Sequence, residues 1–304
     1  MPVVLAHKRL VASPLRFSRK SWRREERDTL LVEEVPMDHS SLHQEAHDIW
    51  NQNAAFWDEF TGEGTSWHTH LLGPAVDRLL QLTPGEQVLD VACGNGNFAR
   101  RMAQQGAYVT ACDFSEVFLE RAQARTTEHR ERIDYCLIDA TNEAQLLSLG
   151  TRRFDAVYCG MALQDMVSID PLLSALTHLL KRTGRFVFSV MHPCFNAAGV
   201  KMVMEEEDKE GDISTVYSVK VSQYLGLTPR KGLGIPGQPT PQYYFDRPLS
   251  VFFTACFRAG WVLNGLEEPA FDESYGSRRP LGWSGKWKEI PPVLVARCVL
   301  PPQS

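Results

Sequence analysis

Residues 88–99, VLDVACGNGNFA, constrain the fold more than any other part of the chain. Residues 87–91 are apolar and β-branched, which predicts a buried parallel strand, and the apolar spacing of a helix resumes from Asn97. Gly94 and Gly96 lie at this junction, where glycine allows a sharp turn and a close approach to a ligand. The free N–H groups of the following helix would point toward that ligand. The sequence therefore predicts a binding site at the end of a buried strand.

The glycines alone leave the kind of ligand open. Together with Ala99 they match the dinucleotide-binding pattern G-x-G-x-x-A, so a nicotinamide cofactor is one interpretation. Asp90 stands before the first glycine, at the end of the predicted strand. A carboxylate there disfavours the anionic pyrophosphate of a dinucleotide and favours an ammonium or sulfonium cation. S-adenosylmethionine carries both cations.

The stretch LDVACGNG resembles the first motif of the class I S-adenosylmethionine-dependent methyltransferases of the small-molecule type, which includes UbiE-like and natural-product enzymes. Further matches follow in chain order: GAYVTACD ends in Asp113, IDYCLID ends in Asp139, and LLKRTGRFVFSV matches a turn and a fifth strand. The resemblance covers residues 44–300. It implies a doubly wound, mostly parallel α/β sheet of seven strands, six parallel and the last antiparallel, of the Rossmann-like methyltransferase fold.

The same resemblance implies S-adenosylmethionine as the cofactor and methyl transfer to a small organic acceptor as the reaction. Asp113 can accept hydrogen bonds from both ribose hydroxyls at the tip of a second strand. Phe114 is a candidate for the adenine face or for core packing, and Asp139 for the adenine amine or for a helix cap. The predicted cofactor-binding residues are Asp90, Cys93, Gly94, Gly96, Asp113, Phe114, Asp139, Ala140 and Cys159.

Three residues are candidates for acting on the acceptor. His192 follows the fifth strand at the predicted cofactor edge, and an imidazole titrates near neutral pH, so it is a candidate general base. Tyr243 and Tyr244 lie on a later loop and could orient a hydroxyl. A structural role is the alternative for each of the three.

The chain is expected to contain one folded domain, residues 37–304. Residues 37–82 are predicted to form a helical cover, and residues 193–247 an inserted substrate lid, because this connection is too long for a simple crossover. Residues 1–36 are basic and are predicted to be a disordered extension. They are interpreted as a dispensable stretch before a true start at Met37, as a targeting segment or as a functional arm.

Composition bears on compartment and partners. Seven scattered cysteines without a C-x-x-C pair predict buried thiols in a reducing compartment, and no apolar run approaches the roughly 18 residues of a membrane span. We therefore expect a cytoplasmic protein without a membrane partner.

The charge of the chain is unevenly distributed. The first 24 residues hold seven Lys or Arg and no acid, and the remaining 280 hold 25 basic against 37 acidic side chains. This acidic body argues against nucleic acid as a partner.

No metal site is predicted. His39, His43 and His47 recur every four residues, but no cysteine or paired carboxylate joins them, so we expect a solvated helix face. Two other functions stay open at this level: a non-catalytic protein that binds S-adenosylmethionine or acts as a scaffold, and a nicotinamide-dependent oxidoreductase, which Asp90 disfavours. The acceptor, the methylated atom and the oligomeric state stay open as well.

Overall fold

The computed structural model describes residues 39–277 and 279–301, so the predicted extension at residues 1–36 lies outside the described residues. The strands in chain order are β1 Gln87–Val91, β2 Tyr108–Asp113, β3 Ile133–Leu137, β4 Phe154–Gly160, β5 Leu180–Met191, β6 Val200–Lys209, β7 Asp212–Val221, β8 Arg230–Gly232, β9 Gln242–Tyr244, β10 Val262–Glu267 and β11 Val293–Val299. The α-helices are α1 His39–Thr61, α2 Gly73–Leu80, α3 Asn97–Gln104, α4 Glu116–Arg125, α5 Glu143–Leu147, α6 Asp170–Leu179 and α7 Leu249–Arg258. Short helical turns at Trp67–Leu72, Arg130–Arg132, Leu163–Asp165 and Gly285–Trp287 complete the set.

Seven strands form the central sheet, in the order β10-β11-β5-β4-β1-β2-β3. Each neighbouring pair among β1 to β5 is parallel, namely β5 with β4, β4 with β1, β1 with β2 and β2 with β3. Strand β11 is antiparallel to both β5 and β10. Six strands therefore run one way and the last strand of the chain runs the other way. The doubly wound sheet predicted from the sequence is confirmed.

The apolar run in β1 is explained by burial on both faces of the sheet. Val88 lies in one apolar cluster with Met102 of α3, and Leu89 lies in the cluster on the opposite face with Leu176 of α6. Successive side chains of a strand point to opposite faces, so a strand that is covered twice must be apolar at both sets of positions. Asp90 interrupts the run and pairs in register with Ala111 of β2 and Tyr158 of β4.

The connection between β5 and α7 carries two hairpins outside the main sheet. Strands β6 and β7 pair over their whole length and turn at Glu210 and Gly211, both of which have positive φ angles of 56° and 95°. Positive φ at both central positions matches the right-handed twist of the strands. Strands β8 and β9 form a second, short hairpin. Over the stretches that the structure describes, no helix is long and apolar enough to span a bilayer.

Candidate active site

A cavity of about 800 Å³ opens at the carboxyl ends of the central parallel strands. The strand order reverses there, with β4 on one side of β1 and β2 on the other, and ligands of open α/β sheets bind at such a reversal. Eight of the predicted site residues line the cavity: Asp90, Cys93, Gly94, Asp113, Phe114, Asp139, Ala140 and Tyr244. The other four predicted residues are not among the described residues that line the cavity: Gly96, Cys159, His192 and Tyr243.

The two glycines of the β1–α3 turn have different roles. Gly94 and Gly96 both adopt the left-handed region, with φ of 54° and 76°. Gly94 lines the cavity, whereas a Cβ on Gly96 would lie 2.4 Å from the Tyr135 hydroxyl oxygen. Gly96 is therefore required for the turn and for close packing, which its predicted role as a cofactor contact did not capture.

The Asp90 side chain is buried beside this turn with half of its carboxylate unsatisfied. Its Oδ2 atom is buried without a hydrogen-bond partner in the described part of the chain. Burial, with a further contribution from Asp113, raises the pKa of Asp90 to about 8. A buried carboxylate oxygen without a partner favours a bound cation.

Asp113 is held rigidly at the tip of β2. Its Oδ2 accepts a hydrogen bond from the Gly94 N–H at 2.9 Å, and its Oδ1 accepts one from the Ser115 N–H at 2.9 Å. Burial raises the pKa of Asp113 to about 6, although these N–H groups oppose the shift. The carboxylate thus faces the cavity next to the glycine turn in a fixed orientation.

Helix α1 covers the third acid of the site. His43 Nε2 lies 2.9 Å from Asp139 Oδ2, and the His47 ring packs edge-on against Phe114 with centroids 5.2 Å apart. Burial raises the pKa of Asp139, but hydrogen bonds from His43 and from Thr141 outweigh it and hold the pKa below its ordinary value. The expectation that the histidines form a solvated helix face is therefore wrong for His43, which lines the cavity, and for His47, which is half-buried against Phe114. The described chain contains no cluster of side chains suited to a metal ion.

An ion cluster fastens α1 to the glycine turn. Asp58, on α1, accepts hydrogen bonds from Arg125 and, at 3.1 Å, from Arg121 of α4. The amide of Asn95, in the glycine turn, also donates to Asp58 at 3.2 Å. Helix α1 is thus attached at two places around the cavity, through His43 to Asp139 and through Asp58 to α4 and the glycine turn.

A family model described as a methyltransferase domain matches residues 88–184. A ubiquinone biosynthesis O-methyltransferase of Xylella fastidiosa is 32% identical over 142 residues, which cover 46% of this chain and 55% of that protein. A Coxiella burnetii protein of the same name is 28% identical over 203 residues, covering 62% of this chain and 85% of that protein. The chain is also similar to the crystal structure of an S-adenosylmethionine-dependent methyltransferase from Mesorhizobium loti, with a TM-score of 0.57 and 25% sequence identity. The match covers 74% of this chain and 95% of that protein's chain.

Residues 88–184 thus form a methyltransferase domain, and the chain resembles S-adenosylmethionine-dependent methyltransferases. S-adenosylmethionine is its cofactor, as the sequence predicted. The chain spans about half the length of the Xylella relative and most of the Coxiella relative.

Aromatic side chains enclose much of the cavity. Eight of the aromatic residues that line it are Trp50, Trp57, Phe60, Trp67, Phe118, Tyr158, Tyr275 and Trp283. Trp57 Nε1 is buried without a hydrogen-bond partner among the described residues. Tyr244 also lines the cavity, with Arg230 above its ring at 4.6 Å, and burial raises the pKa of its hydroxyl. The wall is suited to an apolar molecule with a few polar atoms.

His192 lies behind the wall rather than in it. Its Nδ1 accepts a hydrogen bond from the Cys194 N–H at 3.1 Å, so the proton of a neutral ring is on Nε2, which faces Glu268 Oε1 at 2.7 Å. The ring also packs on Phe195 with centroids 4.5 Å apart. With both nitrogens engaged, these contacts favour the structural alternative for His192 over a general base.

Tyr243 and Cys159 are likewise directed away from the cavity. The Tyr243 hydroxyl donates to Glu45 Oε2 of α1 at 2.6 Å. Cys159 is fully buried in the apolar cluster of α6 and α7, and burial raises the pKa of its thiol. Among the polar side chains that the sequence did not predict, Gln164 and Asp165 do line the cavity. Both follow β4 at the predicted ligand edge, and that position was the available signal.

Proposed function

We propose that this methyltransferase transfers the methyl group of S-adenosylmethionine to a small, largely apolar organic acceptor bound in the aromatic half of the cavity. The observation that carries the proposal is the pairing, in one cavity, of an unsatisfied buried carboxylate oxygen on Asp90 with a wall rich in aromatic side chains. The names of the Xylella and Coxiella relatives favour an oxygen atom as the methyl acceptor.

The acids that line the cavity fit the polar groups of the cofactor. Asp90 Oδ2 would pair with the ammonium of the methionine portion, next to the exposed backbone of Gly94. Asp113 would accept hydrogen bonds from the ribose hydroxyls. Asp139 would accept one from the adenine amine, and Phe114 would cover the adenine face.

The protein's contribution to the reaction is alignment and exclusion of water. When bound, S-adenosylmethionine supplies a methyl group activated by the neighbouring sulfonium charge. The aromatic wall would hold the acceptor in line with this methyl group and displace water from it, and such positioning can account for several kcal/mol of a barrier. The hydrogen bonds that fix Asp113 and the ion cluster of Asp58 preorganise the site before ligands enter.

The seven cysteines are all free thiols. We therefore propose a reducing compartment, the cytoplasm, as the location of the protein.

Calorimetric titration tests the proposal. The unmodified protein should bind S-adenosylmethionine and S-adenosylhomocysteine saturably and should not bind NADH. Asp113→Asn should weaken binding of both adenosyl ligands by about 1–3 kcal/mol, because a charge-assisted hydrogen bond to the ribose becomes a neutral one. Asp134→Asn, on the exposed outer side of β3, is the matched control and should bind like the unmodified protein. Binding of NADH alone, or full affinity in folded Asp113→Asn, would contradict the assignment.

A further inference from the structure

Gln164 presents an unsatisfied hydrogen-bond acceptor on the cavity wall. Its side chain is 8% exposed, and its Nε2 donates to the backbone oxygen of Met161. Rotating the amide would place two oxygens against each other, so the orientation is fixed with Oε1 on the other side. Oε1 is buried and has no partner within the described residues. A buried acceptor in this state needs a hydrogen-bond donor, which a ligand or an ordered water molecule supplies.

The neighbouring Asp165 carboxylate also lines the cavity. It receives two long hydrogen bonds from amides, from Gln242 Nε2 at 3.3 Å to Oδ1 and from Gln164 Nε2 at 3.4 Å to Oδ2. Neither oxygen has a second close partner in the contacts resolved around it, and burial raises the pKa of Asp165 well above its ordinary range. The carboxylate therefore keeps capacity to accept a further hydrogen bond or a proton.

A chain of buried amides sets the direction of the bond to Asp165. The backbone N–H of Gly234 can only donate, so Gln238 Oε1 must be the acceptor of their 3.0 Å contact. Gln238 Nε2 consequently donates to Gln242 Oε1 at 3.1 Å, and Gln242 is left to donate its own N–H to Asp165. Each group in this chain therefore donates a hydrogen bond to the next one, and Asp165 accepts the last of these hydrogen bonds.

We propose that Asp165 and Gln164 Oε1 bind the nucleophilic O–H or N–H group of the methyl acceptor, and that Asp165 takes its proton during transfer. This inference rests on the proposed function and narrows it. The acceptor class is a small apolar molecule that carries a hydroxyl or an amine. A carboxylate, an ether or a fully substituted amine lacks the donor that both groups require.

The step balances in atoms and charge. The acceptor oxygen or nitrogen uses a lone pair to form a bond to the methyl carbon while the carbon–sulfur bond breaks and its electrons stay on sulfur. Because burial raises the pKa of Asp165, the carboxyl group first loses its own proton to solvent, and the proton of the acceptor then passes to the ionised carboxylate. One positive charge on sulfur and one negative charge on Asp165 thus disappear together, which is favourable in a cavity of low polarity. An amine that enters as an ammonium ion must first lose one proton to solvent.

Two variants separate a ligand role from a structural role. Asp165→Asn removes the charge that accepts the proton. Gln164→Met keeps the size of the side chain but removes both the unpaired acceptor and the donor to the Met161 backbone oxygen, so the variant is expected to unfold at a lower urea concentration than the unmodified protein. If Gln164 had a structural role alone, this variant would lose stability but keep full affinity for the probes. Asp134→Asn is again the control.

The test measures binding of four probes to protein saturated with S-adenosylhomocysteine, by ligand-observed NMR. The probes are catechol and benzylamine, which carry donors, and 1,2-dimethoxybenzene and benzoate, which do not. We expect catechol or benzylamine to bind at least about tenfold more tightly than the other two, and both variants to lose about tenfold or more of that affinity. Affinity for S-adenosylhomocysteine should stay unchanged in both variants.

The inference would be overturned if neither catechol nor benzylamine bound more tightly than 1,2-dimethoxybenzene and benzoate, which includes failure of both donor probes to bind. Full probe affinity in both variants would also overturn it. In each of these cases saturable binding of S-adenosylhomocysteine leaves the proposed function standing. Failure of the unmodified protein to bind S-adenosylhomocysteine would overturn the proposed function itself.

Discussion

Binding of the cofactor is expected to release a proton from Asp90. In the free protein the pKa of Asp90 is raised to about 8, mainly by burial, so roughly nine-tenths of the molecules hold this proton at pH 7. A ligand ammonium that pairs with Oδ2 requires the ionised carboxylate. Binding at pH 7 should therefore release about 0.9 proton per ligand.

The same proton makes affinity depend on pH. Because protonated Asp90 competes with the ammonium, S-adenosylhomocysteine should bind about eightfold more tightly at pH 7.5 than at pH 6.5. Asp90→Asn should weaken binding, abolish the proton release and flatten this dependence. Asn has nearly the same size as Asp, so the packing around residue 90 is expected to be retained.

Calorimetry in two buffers with different ionisation enthalpies measures the released proton directly. Stability gives an independent check, because the unfolded chain loses this proton near pH 4 and the folded chain holds it to about pH 8. The folded state binds more protons in that window, so the contribution of Asp90 to stability falls as pH rises through it. The Asp90→Asn protein should therefore be the more stable one at pH 8 without ligand. Equal heats in the two buffers, together with an unchanged pH dependence in Asp90→Asn, would refute the reasoning.

Two further changes test the cover and the turn. Asp58→Asn should weaken the ion pairs with the two α4 arginines, so hydrogen exchange measured by mass spectrometry should become faster in α1 and affinity for S-adenosylhomocysteine should fall; unchanged exchange would show that the cluster does not hold the helix. Gly96→Ala should lower the free energy of unfolding by about 1–3 kcal/mol in urea denaturation, because it adds a Cβ at positive φ against the Tyr135 hydroxyl. Gly62→Ala, also at positive φ but with nothing within 4 Å of the new Cβ, is the control and should lose less; equal losses would remove the steric argument.

The cofactor half of the site was predictable because its residues lie on local, regular structure. Asp90 is the second-to-last residue of β1, Asp113 ends β2 and Asp139 follows β3, and the carboxyl ends of parallel strands share one edge of a sheet. Chain order and strand pattern were therefore enough to bring the three acids together. Neither requires knowledge of which distant segments pack on one another.

The candidates that the structure directs away from the cavity share one physical cause. Tyr158 and Gly160 line the cavity and Cys159 between them does not; Met191 lines it and His192 does not; Tyr244 lines it and Tyr243 does not. Adjacent side chains of an extended chain point to opposite sides. Of two neighbouring residues at the edge of the sheet, only one can therefore point into the cavity. The choice between them depends on the register of the strand relative to its cover.

The acceptor half depends on contacts between distant parts of the chain. Gln242 reaches Asp165 across 77 positions of sequence, and His43 reaches Asp139 from a helix whose exposed and packed faces the sequence pattern did not distinguish. No local propensity encodes such contacts. They follow from how the insertion and α1 fold over the sheet.

One pair of hydrogen bonds joins these two covers. The Asn53 amide of α1 donates to the backbone oxygen of Thr240 at 2.8 Å and accepts from the Thr240 N–H at 3.0 Å, next to the Gln238–Gln242 chain. The cover over the adenosine portion and the segment beside the acceptor are therefore coupled. Either ligand should enter only when α1 separates from the segment around Thr240, and both products should leave during this same opening. We expect the turnover number to report the rate of this opening and to respond to solvent viscosity.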